Sequence, residues 1–507
     1  MRLMEKQWIL FVIFQALIIA CVQCERYQVI TVQEPAYEPT WDSLDSRPLP
    51  SWYDDAKVGI FLHWGVYSVP TFGSEWFWKY WRDEHVPSYV DYMTKNFKPG
   101  FTYQEFAPQF TAEHFNADEW SKLFAESGAK YVVLTSKHHD GYALWPSKYS
   151  FGWNSMDVGP HRDLIGELSN AIRTNTTLKF GLYHSFYEWF NPMFLSDKQK
   201  EFNDNLFVVN KVMPEMKEIV NNYKPAVFWS DGDEEASSEY WDSTGFLAWL
   251  YNESPVRNTV VVNDRWGKGA ACKHGGFYTC GDRYNPGVLQ KHKWENAMTI
   301  DKKSWGFRAD AKIDDFLTKE ELIKEIVITV STGGNILVNV GPTQNGLIQP
   351  IFVERLRQMG SWLNINDEAI YESRPWIYQN DTETTGVWYT CKSEQTDRTT
   401  VYAIVLDYPY DSAGKNLYSL GGKFDENTKA RMLGYPKNLK VFSFYDSYGS
   451  FYFYYLNITF NRIALDIFLQ WYGSEESMYI EFPNKAQIDK LGLHSAWTIA
   501  INLPKRS

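Results

Sequence analysis

The sequence has no run of lysine and arginine long enough to make a basic stripe. Its 50 Lys and Arg are outnumbered by 62 Asp and Glu, for a net charge of −12 and a pI near 5.4. Nucleic-acid binding, which relies on such a stripe, is set aside. Cysteine is scarce, five in 507 residues. A chain this long buries a core without staples, so no disulfide framework is expected. There is no repeat of solenoid or propeller period and no low-complexity linker, which excludes repeat arrays. Past the N-terminus no apolar stretch reaches spanning length, and no membrane span is expected in the mature protein. The spacings that mark zinc sites, H-E-x-x-H or paired C-x-x-C, are missing, and no metal is expected.

Aromatic residues are plentiful, with 22 Trp, 33 Tyr and 32 Phe making 17% of the chain. Rings carrying a polar handle suit a surface that grips something both apolar and hydroxylated, and they equally suit a large core.

The weakly basic start Met1–Lys6 is followed by an apolar run from Trp8 to Ala20, shorter than the roughly 20 residues needed to span a bilayer. It ends in Cys21-Val22-Gln23-Cys24 and reads as a secretory signal peptide cut near Cys24. Sequons at Asn175, Asn252, Asn380 and Asn457 fit passage through the secretory pathway and are expected glycosylation sites. Cys272 and Cys280 are close enough in sequence to close one small loop. Cys391 lies far off and reads as a buried free thiol.

Between residues 55 and 342, short apolar runs alternate with longer amphipathic ones. Strands are expected at 58–62, 131–134, 179–182, 226–229, 259–262 and 336–338. Helices are expected at 118–127 (with Asp118 as N-cap), 162–173, 197–222, 239–251 and 318–331. Nearly continuous apolar strands alternating with helices mean a parallel sheet covered on both faces. Polar and aromatic residues follow the C-terminal end of each strand, where a (β/α)8 barrel gathers its active site. No Gly-rich phosphate loop follows a strand, so the barrel is preferred to an open doubly wound sheet. After about Ser373 the helical periods fade. Short runs such as Val401 to Leu406 predict an all-β antiparallel sandwich. The expected organisation is a signal peptide at 1–24, a (β/α)8-like TIM-barrel catalytic domain at 25–373 and the sandwich at 374–507.

Three constellations carry chemistry. Phe228-Trp229-Ser230-Asp231-Gly232 brings an acid off a buried strand beside an indole, where it can act as nucleophile, base or ligand. His63, His138, His139 and His184 sit at strand ends and read as binders of hydroxyl groups. His138 and His139, adjacent on extended chain, are expected to point to opposite sides. The segment from Cys272 to Phe307 holds Asp282, Arg283 and Glu295 among aromatics, in a loop-rich stretch that includes Trp305. Paired carboxylates near aromatic walls are what glycosidic cleavage needs. Glu75 and Trp76 add an acid among rings near the first strand.

His63-Trp64-Gly65, Ser74-Glu75-Trp76-Phe77, Lys137-His138-His139-Asp140-Gly141, Trp229-Ser230-Asp231-Gly232 and Lys293-Trp294-Glu295 occur in this order. Together they resemble the α-L-fucosidases of glycoside hydrolase family 29, of the animal lysosomal or secreted tissue type, from about residue 35 to Trp497. The resemblance implies a retaining double displacement on a barrel followed by a sandwich, a fucosylated glycan as substrate and no cofactor. Carried over by position, Asp231 is the nucleophile, and His63, Glu75, Trp76, His138, His139, Tyr183 and Trp229 line the sugar pocket. His184, Arg283 and Trp305 join them by proximity. Trp64, Trp76, Trp229, Trp294 and Trp305 read as its aromatic walls. The acid/base stays open between Asp282 and Glu295, with Asp282 preferred because a Gly-flanked loop acid can swing to the leaving group and Arg283 could tune it. The family pattern running from Pro286 through Glu295 breaks at Ala297, where a cysteine is expected. A fucose-binding protein without turnover is the rival reading, and a barrel glycosidase for another sugar is the third. Linkage preference, oligomeric state (monomer or homo-oligomer) and lysosomal against extracellular residence stay open.

Overall fold

The computed structural model describes residues 36–381, 384–393, 399–408, 417–421, 429–437, 439–443 and 477–503. The signal-peptide segment and Asn457 lie outside the described residues. Seven strands form one parallel sheet: β1 Val58–Leu62, β2 Tyr131–Lys137, β3 Lys179–Ser185, β4 Val227–Asp231, β5 Val261–Val262, β6 Trp294–Thr299 and β7 Gly334–Val340. Their order is β5-β4-β3-β2-β1-β7-β6. The outer strands β5 and β6 are consecutive in the chain, and the segment around Phe277–Tyr278 bridges them. Phe277 N–H donates to Val262 O at 3.1 Å, and Glu295 N–H donates to Tyr278 O at 2.8 Å. The sheet therefore curls round and closes as a TIM-like barrel. An open sheet would leave those backbone groups without partners.

β1, β2 and β7 are buried at every position, as expected of strands covered on both faces. The barrel interior is aromatic: Tyr53, Phe61, Tyr131, Tyr183, Trp229 and Phe277 pack there with Val133, Ala297 and Leu337. Gly59 makes room for one of these rings, since a Cβ there would lie 2.4 Å from the Tyr131 ring.

Several elements differ from the sequence expectation for local reasons. The helix Ala117–Glu126 is capped by Asn116, whose Oδ1 accepts from Asp118 N–H at 3.1 Å and Glu119 N–H at 3.3 Å, so Asp118 is inside the first turn. The single helix expected over 197–222 is broken. Glu201 and Phe202 take left-handed φ, and the buried Asp197 carboxylate accepts from Phe207 N–H at 2.8 Å before the helix Met213–Tyr223 resumes. The helix expected over 239–251 divides at Asp242, φ 52°. β6 was expected as loop. Its sequence Trp-Glu-Asn-Ala-Met-Thr is half polar, and only its pairing with β7 makes it a strand.

Beyond Ser373 all described strands pair antiparallel, in a five-stranded sheet β12-β15-β10-β9-β8 and a three-stranded sheet β11-β14-β13. Here β8 is Arg374–Asn380, β9 Val387–Ser393, β10 Thr399–Val405, β11 Leu417–Gly421, β12 Lys429–Met432, β13 Lys440–Ser443, β14 Ser477–Glu481 and β15 Trp497–Leu503. Val401, Ala403, Ile499 and Ile501 of the first sheet share a core with Ile480 of the second. The helix Pro350–Ile370 ties this layer to the barrel: Trp362 Nε1–H donates to Ala496 O at 2.9 Å, and Thr390 Oγ–H to Ala369 O at 2.7 Å.

Candidate active site

Asp231 is the last residue of β4, so its carboxylate leaves the barrel at the C-terminal face. Arg265, just past β5, donates from Nη1 to Asp231 Oδ1 at 2.9 Å. Tyr183 of β3 donates its hydroxyl to Oδ2 at 2.7 Å. Burial by itself would raise the Asp231 pKa. The Arg265 guanidinium and the Tyr183 hydroxyl outweigh it and hold the carboxyl below its ordinary value. Asp231 is therefore an anion aimed into a cup.

Asp282 stands on the loop beyond β5 with its side chain about half exposed, and accepts from Arg265 Nη2 at 2.6 Å. One planar guanidinium thus forks to both acids, the buried one and the half-exposed one. The loop that carries Asp282 is well anchored. A disulfide joins Cys272 and Cys280. The buried Asp264 carboxylate accepts from the N–H groups of Cys272 at 2.7 Å, Thr279 at 2.9 Å and Cys280 at 3.1 Å, and from Thr279 Oγ–H at 2.6 Å. Arg283 N–H then donates to Ala297 O at 2.8 Å, docking the loop on β6. Cys272, Cys280 and Arg283 all hold left-handed φ, each a strain of about 1 kcal/mol or more that the anchors must offset.

Histidines line the opposite wall. His63 follows β1, and its Nδ1 lies 2.8 Å from Asn339 Oδ1. Asn339 spends its own amide on Thr299 and Trp305 O, so its oxygen accepts and His63 Nδ1 donates, leaving Nε2 as an acceptor. Burial pushes the His63 pKa down to about 4. His139 Nδ1 lies 2.7 Å from Ser185 Oγ, whose hydroxyl donates to Tyr187 O, so His139 also donates from Nδ1. Its Nε2 comes within 3.5 Å of Asp231 Oδ2. Burial, with His63 and Arg265 nearby, holds His139 well below its ordinary pKa, so it is neutral. Two acceptors therefore face each other with no proton between them, and that gap suits a hydroxyl donor. Burial likewise depresses His138, whose Nδ1 has no hydrogen-bond partner among the described residues.

Glu75 Oε2 accepts from Ser304 Oγ–H at 3.0 Å and from the N–H groups of Trp305 at 2.9 Å and Gly306 at 3.1 Å. Glu75 thereby holds the Trp305 loop over the cup. The Trp305 ring packs 5.1 Å from His63, and the Arg283 guanidinium lies 5.4 Å above it. Trp76, half-buried, meets His139 edge-on at 5.6 Å.

The chemistry of this cup is familiar from elsewhere. A family model described as "Alpha-L-fucosidase" matches residues 25–368, and one described as "Alpha-L-fucosidase C-terminal domain" matches residues 379–452. The chain belongs to the α-L-fucosidase family. It is 61% identical over 373 residues to human plasma α-L-fucosidase, covering 74% of this chain and 79% of that one. Against human tissue α-L-fucosidase it is 53% identical over 404 residues, 80% of this chain and 85% of the other. A crystal structure of Thermotoga maritima α-fucosidase in complex with fucose superposes at a TM-score of 0.70, with 28% identity over 92% of this chain and 100% of that chain.

Against this family frame, four expectations need correction. Glu295 is not in a loop and does not reach the cup. It is the second residue of β6, fully buried at the opposite end of the barrel. There its carboxylate accepts from the Tyr53 and Tyr131 hydroxyls, both at 2.6 Å, and from Trp229 Nε1–H at 2.9 Å. His184 points out of the barrel. Side chains alternate along β3, so Tyr183 faces in, and His184 is sealed against Ser136 Oγ at 2.9 Å beside Trp145 and Phe228. His138 and His139 do not diverge. They lie past the end of β2, in a turn closed by Gly141 N–H donating to His138 O, and their ring centroids are 4.1 Å apart. Trp64 and Trp294 are core residues, donating to the carbonyls of Thr343 and Thr332. Ala297, where the cysteine was expected, packs in the barrel interior.

Arg265, Asn339 and Ser185, which hold Asp231, His63 and His139, are further candidate site residues that carry no motif in the sequence. Each sits at or just past the C-terminal end of a strand, and that position was the signal available for finding them.

Proposed function

We propose that this chain hydrolyses terminal α-L-fucose from glycoproteins and glycolipids with retention of configuration, Asp231 acting as nucleophile and Asp282 as acid/base. The observation that carries the reading is the Arg265 fork. It binds a buried carboxylate kept ionised for attack, and a half-exposed carboxylate free to reach a leaving oxygen. A retaining pair needs two such carboxyls about 5–5.5 Å apart on one sugar. His63 and His139 offer neutral acceptor nitrogens to sugar hydroxyls, and a hydroxyl seated beside His139 and Asp231 donates its one proton to either of them. Trp76, Trp229 and Trp305 supply apolar wall for the methyl group at C5. In the first step Asp231 attacks the anomeric carbon as Asp282 gives its proton to the departing oxygen. In the second, Asp282 takes a proton from water, which displaces Asp231.

The division into a catalytic domain at 25–373 and a sandwich at 374–507 belongs to the same reading, supported by the two family matches. So do the signal peptide, glycosylation at the four sequons and residence in the lysosome or outside the cell. The plasma and tissue relatives support that residence, and no helix among the described residues is long and apolar enough to cross a membrane.

Asp231→Gly, assayed on an aryl α-L-fucoside, is expected to abolish turnover, with partial rescue by azide filling the nucleophile's place. Near-normal turnover would reject the assignment. Asp282→Ala is expected to slow substrates with poor leaving groups far more than activated ones, because only the former need protonation.

A further inference from the structure

Glu295 is a buried acid for which the proposed reaction has no use. Burial raises its pKa, and the three donors around it act the other way. Packing does not call for it either, since well-packed apolar residues of similar volume often replace buried ionisable groups without loss of stability. The Tyr53 and Tyr131 hydroxyls both donate to Oε2, which leaves Oε1 for Trp229. The Trp229 ring in turn touches both residues that hold Asp231. Tyr183 stacks on it with centroids 5.6 Å apart and planes 22° apart, and the Arg265 guanidinium lies 4.7 Å above it. Phe61 closes a third side at 5.3 Å.

We infer that Glu295 is a positioning residue, a buried anchor that fixes the Trp229 indole as the platform on which Tyr183 and Arg265 aim Asp231. The inference rests on the proposed roles of Asp231 and Asp282. An indole held only by ring contacts can slide or flip, whereas one tethered at Nε1 has a single orientation. The Tyr53 and Tyr131 hydroxyls orient the carboxylate from below. Glu295 thus acts across the barrel without touching the sugar.

The test uses the full chain with Glu295→Met, Glu295→Gln and Trp229→Phe, on aryl α-L-fucosides with good and poor leaving groups. Glu295→Met removes the acceptor and is expected to lower kcat about 100-fold, the loss that follows a misplacement of about 1 Å. The factor should be the same for both leaving groups, KM should change little, and the pH–rate profile should keep its shape. Glu295→Gln keeps an oxygen for Trp229 and should recover activity to within about tenfold of wild type. If Glu295→Met does not fold, the cycle of Glu295→Gln with Trp229→Phe decides. Once the indole N–H is gone, Glu295→Gln should cost nothing more, and additive losses would overturn the inference. Wild-type kcat in Glu295→Met would also overturn it. A loss in Glu295→Gln confined to poor leaving groups, with the basic limb of the pH profile gone, would instead make Glu295 the acid and reject the reading of Asp282.

Discussion

At the scale of single residues, the site depends on one guanidinium. Arg265 touches both acids, and its field decides the protonation of Asp231. A carboxyl whose pKa is depressed stays ionised as pH falls, down to that lowered value. The acid limb of kcat/KM should therefore lie below the usual Asp range, about 3.9. The same ion pair stabilises the fold above the unfolded-state pKa, and that stability is lost as pH falls through the folded one. Arg265→Ala removes the cation while leaving the burial, so the Asp231 pKa should rise and the acid limb should move to higher pH. Rate profiles of the two proteins on an aryl fucoside check this. An unmoved limb would mean that Tyr183 alone sets the charge.

At the scale of elements, catalytic geometry comes from how loops are fastened to the barrel rim. The Asp282 loop has no regular structure, yet Asp264, fully buried, collects four donors from it and the disulfide closes it. Asp264→Ala strands those donors, at a cost of about 1–3 kcal/mol for each one left buried and unmet. We expect a lower Tm and a fall in kcat that is larger for poor leaving groups, because the loosened residue is the proposed acid. The turn with His138 and His139 is fastened differently. Lys137, buried, bridges Glu188 and Glu215 at 2.9 Å each, and Lys211 completes the cluster. Sequence reading marked Lys137 as part of a motif, but its partners come from 51 and 78 residues away and had no local signature.

At the scale of the whole molecule, two sets of buried groups oppose each other on acidification. His63, His138, His139 and His184 are buried neutral, with pKa values pushed down by burial, so the unfolded chain binds their protons more readily and stability falls as pH drops below about 6.5. Asp140 and Asp233 act the other way. Burial raises them to about 6 and about 7. The stability each contributes is fully present below its unfolded pKa and is lost as pH rises through the folded value. Asp233→Asn keeps an acceptor for Gly267 N–H, which lies 2.7 Å from Asp233 Oδ2, and removes the titration. Its Tm should exceed that of the wild type at about pH 8, and the gap should narrow steadily as pH falls and close only near the unfolded-state value of about 3.9. A constant difference across this range would refute the assignment.

The amino-acid sequence by itself determined the alternation of buried strands and helices, the change to antiparallel pairing after Ser373, the strand-end position of Asp231 and the family. All of these are local: they follow from periodicity, from short motifs and from the tendency of acids and histidines to follow apolar strands. The tertiary structure decided what depends on facing. It sorted Tyr183 inward and His184 outward by the pleat of one strand. It brought His138 and His139 together because their turn lies past a strand end. It also separated two acids thirteen residues apart, Asp282 and Glu295, to opposite ends of the barrel. Barrel closure and the Arg265 fork did this by joining segments whose meeting no local pattern encodes. Only a closed barrel distinguishes its mouth from its floor.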